Sequence, residues 1–137
     1  MQPTSVLTRA LACSAIALAA VTSACSPQDQ ALVAGQSQQR SAVLASYRTQ
    51  SGLSDEQLAR LANCESGGNP AARSRNGRYF GLYQFNQGTW NSIARSVLPE
   101  FVGVNPAAAP AEVQDAMARA LYLDRGRSPW PVCGRRL

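Results

Sequence analysis

Cys64-Glu65-Ser66-Gly67-Gly68-Asn69, followed by Gly81-Leu82-Tyr83-Gln84-Phe85, is the stretch on which the reading of this chain turns. Just upstream, Ser54 with Gln57 three residues later has the spacing of a capping box. Asp55 and Glu56 suit the positive end of the helix that such a box opens. Leu58, Leu61, Ala62 and Glu65 then fall on neighbouring faces of that helix, and Gly67-Gly68 stops it. Glu65 is thereby set in the last turn, where the macrodipole disfavours negative charge. The next acidic residue is Glu100, so Ser66 to Pro99 carries no second carboxylate.

Beyond the helix, Asn76-Gly77 is a turn signal, and Arg78 to Phe85 is aromatic and strand-like, which predicts a short β-hairpin. Gly81 permits a bulge or a close backbone approach. Asn76, Tyr79, Tyr83, Gln84 and Trp90 supply the flat faces, amides and hydroxyls that bind pyranose rings, and are the candidate substrate-binding residues. Phe80 and Phe85 are assigned to the core more readily than Tyr83. Helical spacing resumes at Trp90, Ile93, Ala94 and Val97. A further helix is expected from near Pro110 through Val113, Met117, Ala120 and Leu121, ended by Gly126. The tail Pro129-Trp130-Pro131-Val132-Cys133 is expected to be extended. A lone, partly buried Glu65 beside such a groove has the layout of a general acid acting on glycans. Burial and the helix C-terminus both raise a carboxylate pKa, as that role requires. A surface Glu in a last helical turn is the common alternative.

Composition narrows the chemistry. The chain has 137 residues, room for one domain of ordinary size. It has no His and no Lys. The missing His excludes Ser-His-Asp and Cys-His catalysis and the usual zinc sites; the missing Lys excludes a Ser-Lys dyad and a Walker-type phosphate loop. Carboxylates, hydroxyls, amides or a thiol must carry the reaction, with no cofactor and no metal expected. The net charge of +5 comes from scattered arginines, with clusters at Arg73, Arg75 and Arg78 and at Arg125, Arg127, Arg135 and Arg136. No basic stripe interleaves with stacking aromatics, so no nucleic-acid partner is expected.

The amino terminus reads as an export signal. Residues 1–24 hold one charge, Arg9, then an apolar run from Ala10 to Val21. Val21-Thr22-Ser23-Ala24-Cys25 resembles a bacterial lipobox, which would make Cys25 a lipidated first residue and a membrane anchor. Ordinary cleavage after Ala24 is the alternative. Cys13 leaves with the signal, and Cys64 and Cys133 can pair in an oxidising compartment. Cys25 is then unpaired, which a lipid or an intermolecular disulfide would explain. From Ser26 to about Gly52 the chain is rich in Gln, Ser and Ala and is expected to be a flexible tether, with a short helix around Gln39 to Tyr47 as the other reading. The boundaries are thus a signal at 1–24, a tether at 25–52 and a compact domain at 53–137.

Cys64-Glu65-Ser66-Gly67-Gly68-Asn69, Asn76-Gly77, Gly81 with Gln84-Phe85, Gly88-Thr89-Trp90 and Trp130-Pro131-Val132-Cys133 together resemble the resuscitation-promoting factor domain of actinobacteria. The resemblance runs from about Ser54 to Arg136, and Gly-Leu-Tyr-Gln is also similar to a motif of the wider lytic transglycosylases. It implies an α+β, small lysozyme-like domain, mainly helical with a short hairpin and one disulfide. It implies action on peptidoglycan, with Glu65 as catalytic acid, Cys64 and Cys133 as the disulfide, and Gln84 and Trp90 in or under the groove. Pro70 departs from the pattern, which usually has Trp there. The expectation is an exported, lipid-anchored or wall-associated enzyme. It would cleave between N-acetylmuramic acid and N-acetylglucosamine in wall remodelling and growth resuscitation, alongside other wall hydrolases. A non-catalytic wall-binding or signalling lipoprotein of the same fold is the alternative.

Overall fold

Ser54 opens the central helix as its spacing predicts. In the computed structural model, which describes residues 26–137, its Oγ accepts the Gln57 N–H at 3.1 Å and the Gln57 side chain accepts the Ser54 N–H at 2.9 Å. Among the described residues there are four α-helices: α1 (Pro27–Gln50), α2 (Asp55–Ser66), α3 (Gln87–Val97) and α4 (Ala111–Arg125). Short 3₁₀ turns lie at Pro99–Phe101, Pro106–Ala108 and Cys133–Arg136. The expected export signal and Cys25 lie outside the described residues.

The stretch expected as a tether is helical from Pro27 to Gln50. Ser26 and Asp29 cap its start reciprocally, and Ala and Gln are good helix formers, so polarity there did not mean coil. No residue of α1 is fully buried. Up to Gln39 its side chains are exposed. Within the compact unit Arg40–Leu137, Val43, Leu44 and Tyr47 are half-buried against the core, on the face their spacing marks.

That core gathers Leu58 and Leu61 of α2, Trp90, Ile93 and Ala94 of α3, and Val113, Met117 and Leu121 of α4. Two buried polar side chains bind the elements together. Arg119 is 2% exposed and donates to Ser51 Oγ at 3.2 Å, to the Leu53 carbonyl, and to Asp55 Oδ1 at 2.6 Å. It therefore fixes the loop that enters α2. A cation so buried is tolerable only because each of these acceptors faces it. Gln114 is wholly buried and satisfied. Its Oε1 accepts the Leu82 N–H at 2.7 Å, and its Nε2 donates to the carbonyls of Pro70 at 3.1 Å and Ala109 at 2.9 Å.

The predicted β-hairpin is corrected: among the described residues there is no regular strand. Two isolated antiparallel bridges, Arg73 with Phe80 and Phe80 with Phe85, take its place. Pairing stops after one residue because the chain reverses at once through Gly81–Gln84, where Gly81 (φ 78°) and Gln84 (φ 52°) are both left-handed. The tail is not extended either. It turns, with the Trp130 N–H on the Arg127 carbonyl (3.0 Å) and the Gly134 N–H on the Trp130 carbonyl (2.8 Å). The observed architecture is thus mainly helical with one disulfide, Cys64–Cys133, whose Cα atoms are 5.7 Å apart.

Candidate active site

Glu65 ends α2 on a turn built by two glycines. The Gly67 N–H bonds the Asn63 carbonyl at 3.0 Å and the Gly68 N–H bonds the Ala62 carbonyl at 3.2 Å, with Gly67 at φ 66° and Gly68 at φ 77°. The side chain of Glu65 is half-buried. Among the described residues its carboxylate has no ion pair, and no hydrogen bond reaches it. Its pKa is raised above the ordinary carboxylate value, and desolvation is the cause. Cys64, its neighbour, bonds Cys133 and so holds this turn to the tail.

Three residues before Cys133, Trp130 forms one wall of a cleft of about 290 Å³. Tyr79, Tyr83, Gln84 and Phe85 also line it, with Asn86 and Thr89 at the start of α3, Arg125 at the end of α4, and Ser128 and Pro129 after it. No carboxylate lines this cleft, and Glu65 is not part of its lining. The acid and the cleft are joined through the disulfide and the short run from Trp130 to Cys133.

The predicted contact residues separate under this geometry. Tyr79, 40% exposed, offers a free aromatic face on the cleft. Gln84 also lines it, half-buried. Gln84 is the one non-glycine residue with positive φ among the described residues, held there by its own Nε2, which donates to the Gly81 carbonyl at 2.9 Å. A side chain kept in the left-handed region costs about 1 kcal/mol or more, and such strain clusters at sites where orientation matters.

Tyr83 is 2% exposed, as deeply set as Phe85, while Phe80 is only half-buried, so the expected ranking of these rings is reversed. Tyr83 donates its hydroxyl to Asp115 Oδ1 at 2.6 Å, and its carbonyl accepts the Trp130 Nε1–H at 3.0 Å. Burial and then the Asp115 charge raise the phenol's pKa far above its usual value, so Tyr83 stays a donor. Burial likewise raises Asp115.

Trp90 is corrected from a sugar contact to a support. It is fully enclosed, donates Nε1–H to the Phe101 carbonyl at 2.9 Å, and packs edge-on against Phe85, 5.4 Å between ring centroids. It therefore braces the cleft floor and presents no face to a ligand. Asn76 is exposed, and its Oδ1 accepts from Ser74 Oγ (2.8 Å) and from the Arg78 N–H (3.1 Å). Its amide oxygen is spent on the turn, outside the cleft lining.

Residues not singled out from the sequence also shape the site: Asn86, which caps α3 through the Thr89 N–H at 2.8 Å, and Gln114 behind Gly81. A Gln on the apolar face of α4, between Val113 and Met117, was the available signal, because a buried amide needs partners. The four later carboxylates do not join the cleft. Glu100 is exposed; Glu112 and Asp115 face a separate groove with Arg48 and Arg119; Asp124 pairs with Arg125 on the surface. Among the described residues no cluster of His, Cys, Asp or Glu could hold a metal ion. No described helix is long and apolar enough to cross a membrane.

Fold and site thus define a disulfide-stapled helical domain with a half-buried, unpaired acid at the end of α2 and a separate cleft of aromatic and amide groups, tied together through Cys64–Cys133. A family model described as a transglycosylase-like domain matches residues 52–133, and the chain belongs to that family. The chain is 47% identical over 75 residues to the resuscitation-promoting factor RpfC of Mycobacterium tuberculosis, covering 54% of this chain and 47% of RpfC. It is 45% identical over 73 residues to the probable transglycosylase SceD of Staphylococcus haemolyticus, covering 53% of this chain and 30% of that protein. With SceD of Staphylococcus aureus the identity is 42% over 76 residues, or 56% of this chain and 32% of the relative. The chain therefore matches about half of RpfC's length and about a third of each SceD protein. The resemblance to the resuscitation-promoting factor domain, read from the separated motifs, holds.

Proposed function

We propose that this chain cleaves the glycan strands of peptidoglycan between N-acetylmuramic acid and N-acetylglucosamine, with Glu65 as the general acid in a lysozyme-like domain. The observation that carries the reading is the state of Glu65: half-buried, unpaired, and raised in pKa by burial. Such a carboxyl holds its proton closer to neutral pH and can give it to the glycosidic oxygen. Tyr79 and Gln84 would bind the sugars from the cleft. The names of the relatives, two of them probable transglycosylases, agree with this reaction class.

The lack of a second acidic residue from Ser66 to Pro99 favours the transglycosylase route over hydrolysis. A retaining hydrolase needs a second carboxylate about 5 Å from the first, and an inverting one needs it about 6.5–9.5 Å away. A single Glu65 suffices if it acts twice. It first protonates the leaving oxygen. Its carboxylate then takes the proton of the muramic C6 hydroxyl, whose oxygen attacks the anomeric carbon and closes an anhydro ring. Mass spectrometry of muropeptides released from purified walls tests this. Products lighter by one water than hydrated reducing ends are expected; exclusively reducing ends would send the search for a second carboxylate to Glu100, Glu112, Asp115 and Asp124.

The same reading includes export by residues 1–24, a diacylglyceryl anchor on Cys25 and a role in growth resuscitation with other wall hydrolases. Partition of native protein with membranes, lost in Cys25→Ser, is the expected result for the anchor. A binding module without turnover is the second reading, favoured by one observation: Glu65 stands outside the cleft lining. Dye release from labelled walls separates the two.

A further inference from the structure

Of the arginines at the carboxyl end of the chain, Arg125 alone forms an ion pair among the described residues, with its neighbour Asp124. Arg125, Arg127, Arg135 and Arg136 are exposed. Arg60 of α2 joins them, its Nε donating to the Arg136 carbonyl at 3.3 Å. Arg127 is brought to the same turn, since a Cβ added at Gly134 would stand 2.9 Å from the Arg127 carbonyl oxygen. Arg125 meets the exposed Asp124 at 3.0 Å; among the described residues the other four form no ion pair. Like charges gathered this way repel one another and contribute nothing to the core. What they can stabilise is an anion from outside.

The ridge is continuous with the cleft. Arg125, Ser128, Pro129 and Trp130 line it, so one short stretch of chain builds the cleft wall and carries the arginines. No carboxylate in that lining repels an incoming anion. We propose that this ridge binds the free carboxylates of the peptide stems on the glycan strand held in the cleft, so that strands with uncapped stems are preferred; this rests on the glycan-cleaving reading above. Stems hang from the muramic residues of the strand itself, so an occupied cleft brings them past its rim. The guanidinium fork matches a carboxylate in two parallel hydrogen bonds. Trp130, the aromatic between these arginines in the chain, is 3% exposed and offers no face on which a nucleic-acid base could stack.

The test uses soluble glycan strands in two forms, one bearing stems with free carboxylates and one stripped of stems, with the wild type and the triple variant Arg127→Gln, Arg135→Gln, Arg136→Gln. All three positions are exposed, and circular dichroism checks the fold of the variant. The expected result is that KM for stem-bearing strands rises about tenfold in the variant while kcat holds, the size expected of several exposed ion pairs. Cleavage of stripped strands should not change, and the wild-type preference should fade at high salt. Equal effects of the variant on both substrates, or no wild-type preference, would overturn the proposal. Direct binding of the same strands, read by calorimetry, is independent of turnover. A wild type that binds stem-bearing strands more tightly through these arginines but cleaves neither form would overturn the catalytic reading and leave the ridge standing. No binding difference would sink the ridge alone.

Discussion

At Glu65, proposed above as the general acid, two demands meet on one side chain. A proton donor must be protonated when substrate arrives, and burial without a compensating cation provides that at the expense of stability. The sign follows from proton binding. Burial favours the neutral form, so folded Glu65 keeps its proton above its ordinary pKa of 4.5, where unfolded Glu65 has lost it. In that window the folded state binds more protons, and stability falls as pH rises until the folded group has ionised. Glu65→Gln has no charge to desolvate. We expect it to fold normally and to gain stability over the wild type as pH is raised from below 4.5 towards neutrality, by thermal melts at stepped pH. Its wall cleavage should fall by about 10²-fold or more, because the amide cannot donate the required proton. In the wild type, cleavage should decline as pH rises through the raised Glu65 value. A variant that cleaves at the wild-type rate would remove Glu65 from the mechanism.

Among the elements, the Gly81–Gln84 turn decides where the cleft residues point, and Gln114 of α4 decides where the turn sits. A Cβ on Gly81 would stand 2.3 Å from Gln114 Oε1, at a φ of 78° that L side chains avoid. Gly81→Ala therefore attacks the turn twice. It should destabilise the protein by about 2–4 kcal/mol, read by urea denaturation, and raise KM for wall strands as Tyr79 and Gln84 shift. An Ala variant of unchanged stability would mean that Gln114 can swing away and that the amide bond to Leu82 is dispensable. Sequence reasoning reached Gly81 but assigned its close approach to a ligand or a bulge. The partner was unreadable because Leu82 and Gln114 are 32 residues apart and meet only after α3 and α4 are placed. Helices α2 and α4 were legible because their signals are local: a capping box at Ser54, Pro110 before the first turn of α4, glycines past the ends. The hairpin was not, since the aromatic, strand-like run from Arg78 to Phe85 promised a ladder that the left-handed Gly81 and Gln84 cut short. Trp90 was likewise legible as important and misplaced, because an aromatic suited to a sugar is equally suited to the core. Burial, not residue type, separates Trp90 from Tyr79.

Among the described residues one covalent cross-link holds the compact unit together. Cys64 and Cys133 are 69 residues apart, so their bridge closes the larger part of the compact unit Arg40–Leu137. In the chain-entropy model a loop of that length contributes about 4 kcal/mol by constraining the unfolded chain. Domains of this size retain only about 5–15 kcal/mol in all. The same bridge ties the turn carrying Glu65 to the tail whose Trp130 lines the cleft, which is the covalent route between the proposed acid and the cleft. Two consequences should therefore appear together in the double variant Cys64→Ser, Cys133→Ser. The melting temperature should drop by roughly 10–30 °C, as that loss implies for a domain of about 100 residues. At temperatures where circular dichroism still reports native helix, wall cleavage should already be reduced, because the last turn of α2 can fray from the tail without unfolding the core. A melting temperature lowered with full activity below it would show that packing alone holds Glu65 in place. Unchanged melting would mean that the contact of α2 with Cys133–Arg136 carries the stability, and that the disulfide merely records a proximity the fold already enforces.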